Sequence, residues 1–400
     1  MEKRFVYADN AATTKLSDAA REAMMPYLTE SYYNPSSLYA PAKYVKRALE
    51  DARKTVADCI GAEPHEIYFT SGGTESDNMA IHSCAMYGRK IGKRHILSSE
   101  IEHHAVLEAI KSTDPEFKYT LVRPNREGLI IPGNVCDLTN LRSTCLVSIM
   151  MVNNELGTVQ MIRNIGWFCK RNNILFHTDA VQAAGHINID VNMMNVDMLS
   201  ISGHKFHGPK GVGVLYIRNG TPVHSLIHGG KQERGFRAGT ENVAGAVGLA
   251  VALKESCDHM SENYQKIRHM NDKLVYGLAQ IKNTHFNSIQ MQCYPGIINV
   301  SFEGVEGESL VYLLDLQGIC VSAGSACTAG SPNPSHVLTS MGYTPEHARS
   351  SIRISIGDYN TMEDIDYMLQ EIPKAVEKLR QVSPLYQVKS PLNKNNEKKG

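Results

Sequence analysis

The chain is predicted to be an α/β protein with a large domain on a mainly parallel sheet and a smaller α+β domain. Three observations carry this reading. Between about residues 50 and 220, short apolar runs alternate with amphipathic stretches, and that strand, helix, strand repetition builds a parallel sheet covered on both faces. After about residue 260 the texture changes to long charged helical stretches with a few strands among them. The length of 400 residues, 42% of them hydrophobic and 20% charged, supplies enough apolar surface for two domains or one large domain with an appendage.

Taken in order, residues 17–27 and 42–60 place apolar side chains near helical spacing, so each is expected to bury one helix face. Residues 66–70, 95–98, 144–150, 174–177, 198–201 and 213–217 are the short apolar runs expected as strands. The small and aliphatic residues of 240–252 read as a buried helix. Residues 297–302 and 351–355 are the expected strands of the smaller domain, and 388–400 has no apolar period, which predicts a solvated, disordered tail. No internal repeat is visible.

Lysine plus arginine equals aspartate plus glutamate at 41 each, so no overall field attracts nucleic acid or an anionic membrane. The opening Met1-Glu-Lys-Arg-Phe-Val-Tyr7 lacks the apolar core of a signal peptide, and no run reaches bilayer-spanning length, so a cytoplasmic location is expected. Nine cysteines without a Cys-x-x-Cys pair argue against a disulfide framework and a cysteine-rich zinc site.

Lys205 lies in Ser202-Gly-His-Lys-Phe-His-Gly-Pro-Lys-Gly211, a glycine- and proline-rich turn after a strand. A lysine there suits a Schiff base; it also suits an ordinary surface position. Asp179 ends another apolar strand, where parallel sheets collect ligands; a helix N-cap is the plainer role. Lysine and aspartate from two strand ends match pyridoxal phosphate, whose aldehyde needs a lysine and whose ring nitrogen needs a carboxylate to hold its proton.

A seat for the phosphate is offered by Phe69-Thr-Ser-Gly-Gly-Thr-Glu-Ser76, a strand, a glycine turn and a helix start that would aim backbone amides at an anion. Thr74 with Asp77 suits helix capping equally. Neither a Walker-type nor a Gly-x-Gly-x-x-Gly motif is present, which weakens nucleotide readings. His103 and His104 could supply a ring that stacks on a cofactor and moves protons, or simple helix capping, whereas the His-Glu-x-x-His zinc spacing is absent.

Cys327 sits in Ala323-Gly-Ser-Ala-Cys-Thr-Ala-Gly-Ser331, whose small residues predict a mobile loop presenting a thiol. A tight turn holding one more small apolar residue is the alternative.

These segments, together with Tyr7-Ala-Asp-Asn-Ala-Ala-Thr-Thr14, Val152-Asn-Asn-Glu155, Arg234-Gly-Phe-Arg-Ala-Gly-Thr-Glu-Asn242 and Ile352-Arg-Ile-Ser355, occur in an order that resembles cysteine desulfurases of the NifS/IscS type. The resemblance spans nearly the whole chain. It implies a fold-type I pyridoxal-phosphate transferase with a seven-stranded large-domain sheet, dividing the chain into 15–258, a small domain of 1–14 plus 259–387, and the tail.

It further implies that Lys205 takes the cofactor's aldehyde, Asp179 pairs with the ring nitrogen, and His103 stacks on the ring. Gln182 and Asn154 would contact the ring's substituents. Gly73, Thr74, Ser202 and His204 would hold the phosphate, joined by Thr240 from the second subunit of a homodimer. Arg353 would clamp the substrate carboxylate with two parallel donors; the alternation of Ile352, Ile354 and Ile356 also allows it to be a solvent-facing charge on an edge strand.

The implied reaction converts L-cysteine to alanine and leaves a persulfide on Cys327, with His103 as a candidate base. Iron-sulfur scaffold proteins and tRNA thiolation enzymes are the implied acceptors, and Cys327 would be a transient iron-sulfur ligand through its persulfide. Tyr39 and Lys231 depart from the family's usual histidine and glycine. An aminotransferase or selenocysteine lyase on the same scaffold is the enzymatic alternative, and a non-catalytic dimeric scaffold the other.

Overall fold

The computed structural model describes residues 3–324, 334–383 and 386; Cys327 and the expected tail lie outside them. The chain opens with β1 (Val6–Tyr7), followed by α1 (Asp18–Thr29), α2 (Ala40–Ile60), β2 (Ile67–Thr70), α3 (Gly73–Lys90) and β3 (His95–Ser99). Next come α4 (His104–Lys111), β4 (Lys118–Val122), α5 (Pro132–Leu138), β5 (Thr144–Ser148), α6 (Ile162–Arg171) and β6 (Leu175–Asp179). Two more strands, β7 (Met198–Ser202) and β8 (Gly213–Ile217), precede the long α7 (Val243–Asp258) and α8 (Met260–Leu278). The remainder alternates: β9 (Thr284–Phe286), β10 (Ile297–Phe302), α9 (Gly307–Asp315), β11 (Ile319–Cys320), α10 (His336–Ser340), α11 (Pro345–Arg349), β12 (Ser351–Ser355) and α12 (Met362–Val382).

The large sheet has seven strands in the order β2-β8-β7-β6-β5-β3-β4. From β7 to β4 every pairing is parallel, while β8 runs antiparallel to both of its neighbours. All residues of β2, β3, β5, β7 and β8 are buried, as the continuous apolar runs require of strands covered on both faces. Each fully buried Ile, Leu or Phe contributes about 1.5–3 kcal/mol. The strand that sequence patterning passes over is β4, an edge strand whose first residues face solvent and whose apolar run is correspondingly thin.

Helix boundaries follow local chemistry. The Ser17 hydroxyl accepts from the Ala20 N–H at 3.1 Å and starts α1, and Asn242 caps α7 two residues inside the predicted start. At the end of α2, Gly61 takes φ +71°, a left-handed turn that stops the helix and is open to glycine at no steric cost.

A three-stranded antiparallel sheet, β12-β10-β9, and the two-stranded parallel pair β1-β11 complete the α+β part. The backbone N–H of Ser355 donates to the Ala8 carbonyl at 2.7 Å, so the N-terminal segment runs beside β12 and enters the cavity described next. No described helix is long and apolar enough to cross a membrane.

Candidate active site

A cavity of about 180 Å³ opens at the C-terminal ends of β6 and β7 and gathers Gly73, Thr74, His103, Asn154, Asp179, Gln182, Ser202, His204, Lys205 and Arg353. Ten residues drawn from sites between positions 73 and 353 are thereby brought to one place. Two predicted residues are not among them. Thr240 is exposed and does not line this cavity, and Cys327 lies outside the described residues.

Lys205 ends a single 3₁₀ turn, Gly203–Lys205, directly after β7. Its Nζ donates to the carbonyls of Ala11 at 2.5 Å and Ala12 at 2.9 Å, so the ammonium points inward and is not the surface charge its turn allowed. Gln182 Nε2 donates to the same Ala11 carbonyl at 2.8 Å. His204 Nδ1 meets Thr13 Oγ1 at 3.1 Å, and burial, aided by the charges of Lys205 and Lys210, pushes its imidazole down to about 4. It is therefore neutral at physiological pH.

Asp179 closes β6 and is 5% exposed. Its Oδ1 accepts from the Val181 N–H at 2.8 Å within a run of turns rather than at a helix start, which removes the N-cap role. Burial raises its pKa above the ordinary aspartate value, opposed by His103, the Val181 N–H and Lys205. Behind it His177 touches Ser148 Oγ with Nδ1 at 2.8 Å and Ser200 Oγ with Nε2 at 3.0 Å. Burial pushes His177 down to about 3, so this ring is a neutral hydrogen-bonding strut.

Asp77 is the residue that sequence reasoning assigned differently. It lines the cavity and is fully buried beside His177, with 3.6 Å between Oδ1 and Nε2, instead of capping α3. Burial, reinforced by the charge of Asp179, raises it well above the ordinary aspartate value. The N-cap of α3 is Gly72, which brings no capping side chain, and its first residues, Gly73 and Thr74, line the cavity. A Cβ on Gly73 would lie 2.6 Å from Val181 Cγ2, so only glycine lets the helix start approach this closely.

His103 is both things that were expected of it: it lines the cavity, and its Nδ1 accepts from the Ala105 N–H at 3.1 Å as the N-cap of α4. That bond leaves the proton of the neutral ring on Nε2. His104 faces away, its ring 4.6 Å from that of His336.

Arg353 overturns the solvent-facing alternative. Although β12 is an edge strand, the guanidinium is 1% exposed because the N-terminal segment covers that edge. Nη2 donates to Asp9 Oδ1 at 2.7 Å and Nη1 to the Asn154 carbonyl at 2.9 Å. Its Nε is buried with no hydrogen-bond partner among the described residues, a donor that an incoming carboxylate would satisfy. Asp9 also accepts from Ser322 Oγ at 2.9 Å, tying the guanidinium to the chain just ahead of the Cys327 segment. Asp9 was visible only as part of a quoted motif; no local signal marked it as the arginine's partner.

The donor set fits pyridoxal phosphate: an inward lysine, a buried carboxylate, an uncapped helix start beside Ser202 and His204, and an imidazole at the cavity wall. The chain matches the family described as Aminotransferase class-V over residues 6–368. It is 48% identical over 385 residues to a protein named Cysteine desulfurase IscS from Methanosarcina thermophila, covering 96% of this chain and 95% of that one. Among solved structures, a NifS-like protein superposes with a TM-score of 0.88 at 39% identity, covering 94% of this chain and 100% of the other. A structure titled SspA in complex with cysteine gives a TM-score of 0.79 at 37% identity, covering 89% and 100%.

Proposed function

The chain belongs to the class-V aminotransferase family, among the cysteine desulfurases, and from that premise we propose that it removes sulfur from L-cysteine, yielding alanine and a persulfide on Cys327. The observation that carries this reading is the convergence of Lys205, Asp179, His103 and Arg353 on one cavity in a chain 48% identical to a cysteine desulfurase.

Pyridoxal phosphate, when bound, supplies an electron sink for the negative charge that develops at the substrate Cα. Asp179 would hold the ring nitrogen's proton, and Gly73, Thr74, Ser202 and His204 would hold the phosphate, with Thr240 added from a second copy of the chain in a homodimer. Gln182 and Asn154 would flank the ring that His103 covers. His177, neutral behind it, leaves Asp179, which lines the cavity at the end of β6, as the carboxylate placed to pair with a protonated ring.

The residues then divide the work. Arg353 receives the carboxylate of L-cysteine through its unpartnered Nε edge. Lys205 Nζ, as the neutral amine, takes the Cα proton and becomes the ammonium, with the Ala11 and Ala12 carbonyls fixing its direction at the cavity. The imidazole of His103 moves the proton between the reacting sulfur groups and the Cα side of the cavity. Cys327, as thiolate, attacks the substrate sulfur; the carbon–sulfur bond breaks, alanine leaves and the persulfide remains. A free thiol near 8.5 is only a few per cent ionised at neutral pH, so the attack needs such a base.

The same reading assigns residues 15–258 to the cofactor-binding unit and 1–14 with 259–387 to the smaller one. It takes the cytoplasm as the location. The acceptors of the persulfide sulfur would be an iron-sulfur scaffold protein and tRNA thiolation enzymes, with Cys327 a transient iron-sulfur ligand. The test is to supply L-cysteine to the purified protein and measure alanine, sulfide and the mass of the Cys327 peptide. Cys327→Ala is expected to lose at least 100-fold in sulfide formation, on the order of the loss of a reacting group, while keeping its absorbance near 400 nm. Full turnover in that variant would sink the assignment.

A further inference from the structure

Two thiols that the proposed reaction does not use meet at the far side of the lysine turn. Cys59 is the penultimate residue of α2 and Cys257 the penultimate residue of α7, and both are free and half-buried. They line one open groove of about 530 Å³, together with His186, Met260, Tyr264 and Gln265. Each thiol perturbs the other, raising Cys59 and lowering Cys257, with Lys254 also favouring the Cys257 thiolate against burial and Asp258. Among the described cysteines, Cys84 and Cys145 lie buried in the core, 0% and 2% exposed, where no reagent reaches them.

We infer that Cys59 and Cys257 form a dithiol modification site, which small aminothiol disulfides such as cystine or cystamine oxidise to an intramolecular disulfide clipping the end of α2 to the end of α7. The thiolate of Cys257 attacks one sulfur of the reagent, whose sulfur–sulfur bond breaks and releases one thiol carrying the proton that Cys257 lost. Cys59 then attacks the Cys257 sulfur of the mixed disulfide, and the second reagent thiol leaves with the Cys59 proton. Two protein thiols are oxidised and one reagent disulfide is reduced to two thiols. The groove is of the size that admits a small molecule, and the acidic Asp258 on its wall suits a cationic amine.

The pair is also linked to the lysine turn. His186, on the wall of the same groove, meets the Lys205 carbonyl through Nε2 at 3.0 Å, and Ser256 Oγ, next to Cys257, donates to the Phe206 carbonyl at 3.4 Å. A clip at the end of α7 therefore constrains the segment that carries Lys205.

The test treats the full-length protein with cystamine, which has no carboxylate for Arg353 to bind, followed by alkylation and peptide mass spectrometry without reductant. The expected result is a Cys59–Cys257 linked peptide, joint loss of alkylation at both residues and its return with dithiothreitol. Cys59→Ser is expected to stop at a cysteamine adduct on Cys257, and Cys257→Ser to label Cys59 at least tenfold more slowly than wild type loses it. Failure of the linked peptide to form, or an unmodified Cys257 in Cys59→Ser, overturns the inference. Because masses are read rather than turnover, the outcome is independent of whether the chain is a desulfurase.

Discussion

Lys205 and Arg353 are two cations in one cavity, set in opposite ways. The lysine sits on a single 3₁₀ turn and rests on two carbonyl oxygens, whereas the arginine is in the middle of a strand, buried and bonded to a carboxylate. Carbonyls orient an ammonium without an opposing charge, so the amine is able to change partners during a reaction. A guanidinium held by Asp9, Ser322 and the Asn154 carbonyl keeps its place, as a clamp must. Reactivity is thus placed on a short, glycine-flanked turn and recognition on the sheet.

The largest break in this contrast is Lys205→Ala, expected to lower alanine formation by roughly 10³-fold or more with loss of absorbance near 400 nm. Retention of activity within tenfold of wild type would make the lysine a bystander. Arg353→Lys keeps the charge but loses the planar fork. It is expected to raise the KM for L-cysteine by roughly 10–100-fold, the worth of one or two charge-assisted hydrogen bonds, with a smaller change in kcat. An equal fall in kcat at unchanged KM would move Arg353 from recognition to chemistry.

The lysine side is also the more acid-sensitive. His186, which holds the Lys205 carbonyl, is pushed down to about 4 by burial. Above about pH 6.5, the free histidine value, both folded and unfolded chains carry it neutral. As pH falls from there towards 4, the unfolded chain takes up a proton that the folded one refuses, so stability is lost across that window. Glu102 works the other way: burial raises it to about 8, so its contribution weakens as pH rises from the usual carboxylate value towards 8. The clean measurement is therefore the difference between wild type and His186→Asn in denaturant melts from pH 7 to 4. The variant is expected to lose about 2–3 kcal/mol less over that range, and parallel curves would contradict the sign.

Ser322→Ala is the mildest probe of the arginine side. It removes the hydrogen bond to Asp9 and the long one accepted from Arg353 Nη2 at 3.4 Å, and a change of about 1 kcal/mol, seen as a KM shift of roughly fivefold, is expected. A larger shift in kcat than in KM would mean that Ser322 positions the Cys327 segment rather than the clamp.

Much of this site was legible because its chemistry is local. The glycine turn around Lys205, the strand that ends on Asp179 and the helix start at Gly73 are each contained in a few consecutive residues, and apolar runs marked five strands of the large sheet and most of the sixth. What escaped is what local patterns do not carry. The thin apolar run of β4 reflects its place at a sheet edge. Alternation along β12 identified which face Arg353 occupies, yet not that residues 8–11 cover that face. Asp77 read as a cap because its helix start was visible and its burial against His177 was not.

By itself, the sequence determined which groups are available and the turns and strand ends that present them, because backbone preferences act over a few neighbours. Only the tertiary structure decided which of those groups are charged and which are partnered. Asp9 meets Arg353 across 344 positions, and Cys59 and Cys257, from the ends of two helices, line one groove. Desolvation, which raises Asp77 and keeps His177 neutral, does not exist until the sheet and its covering helices close around them.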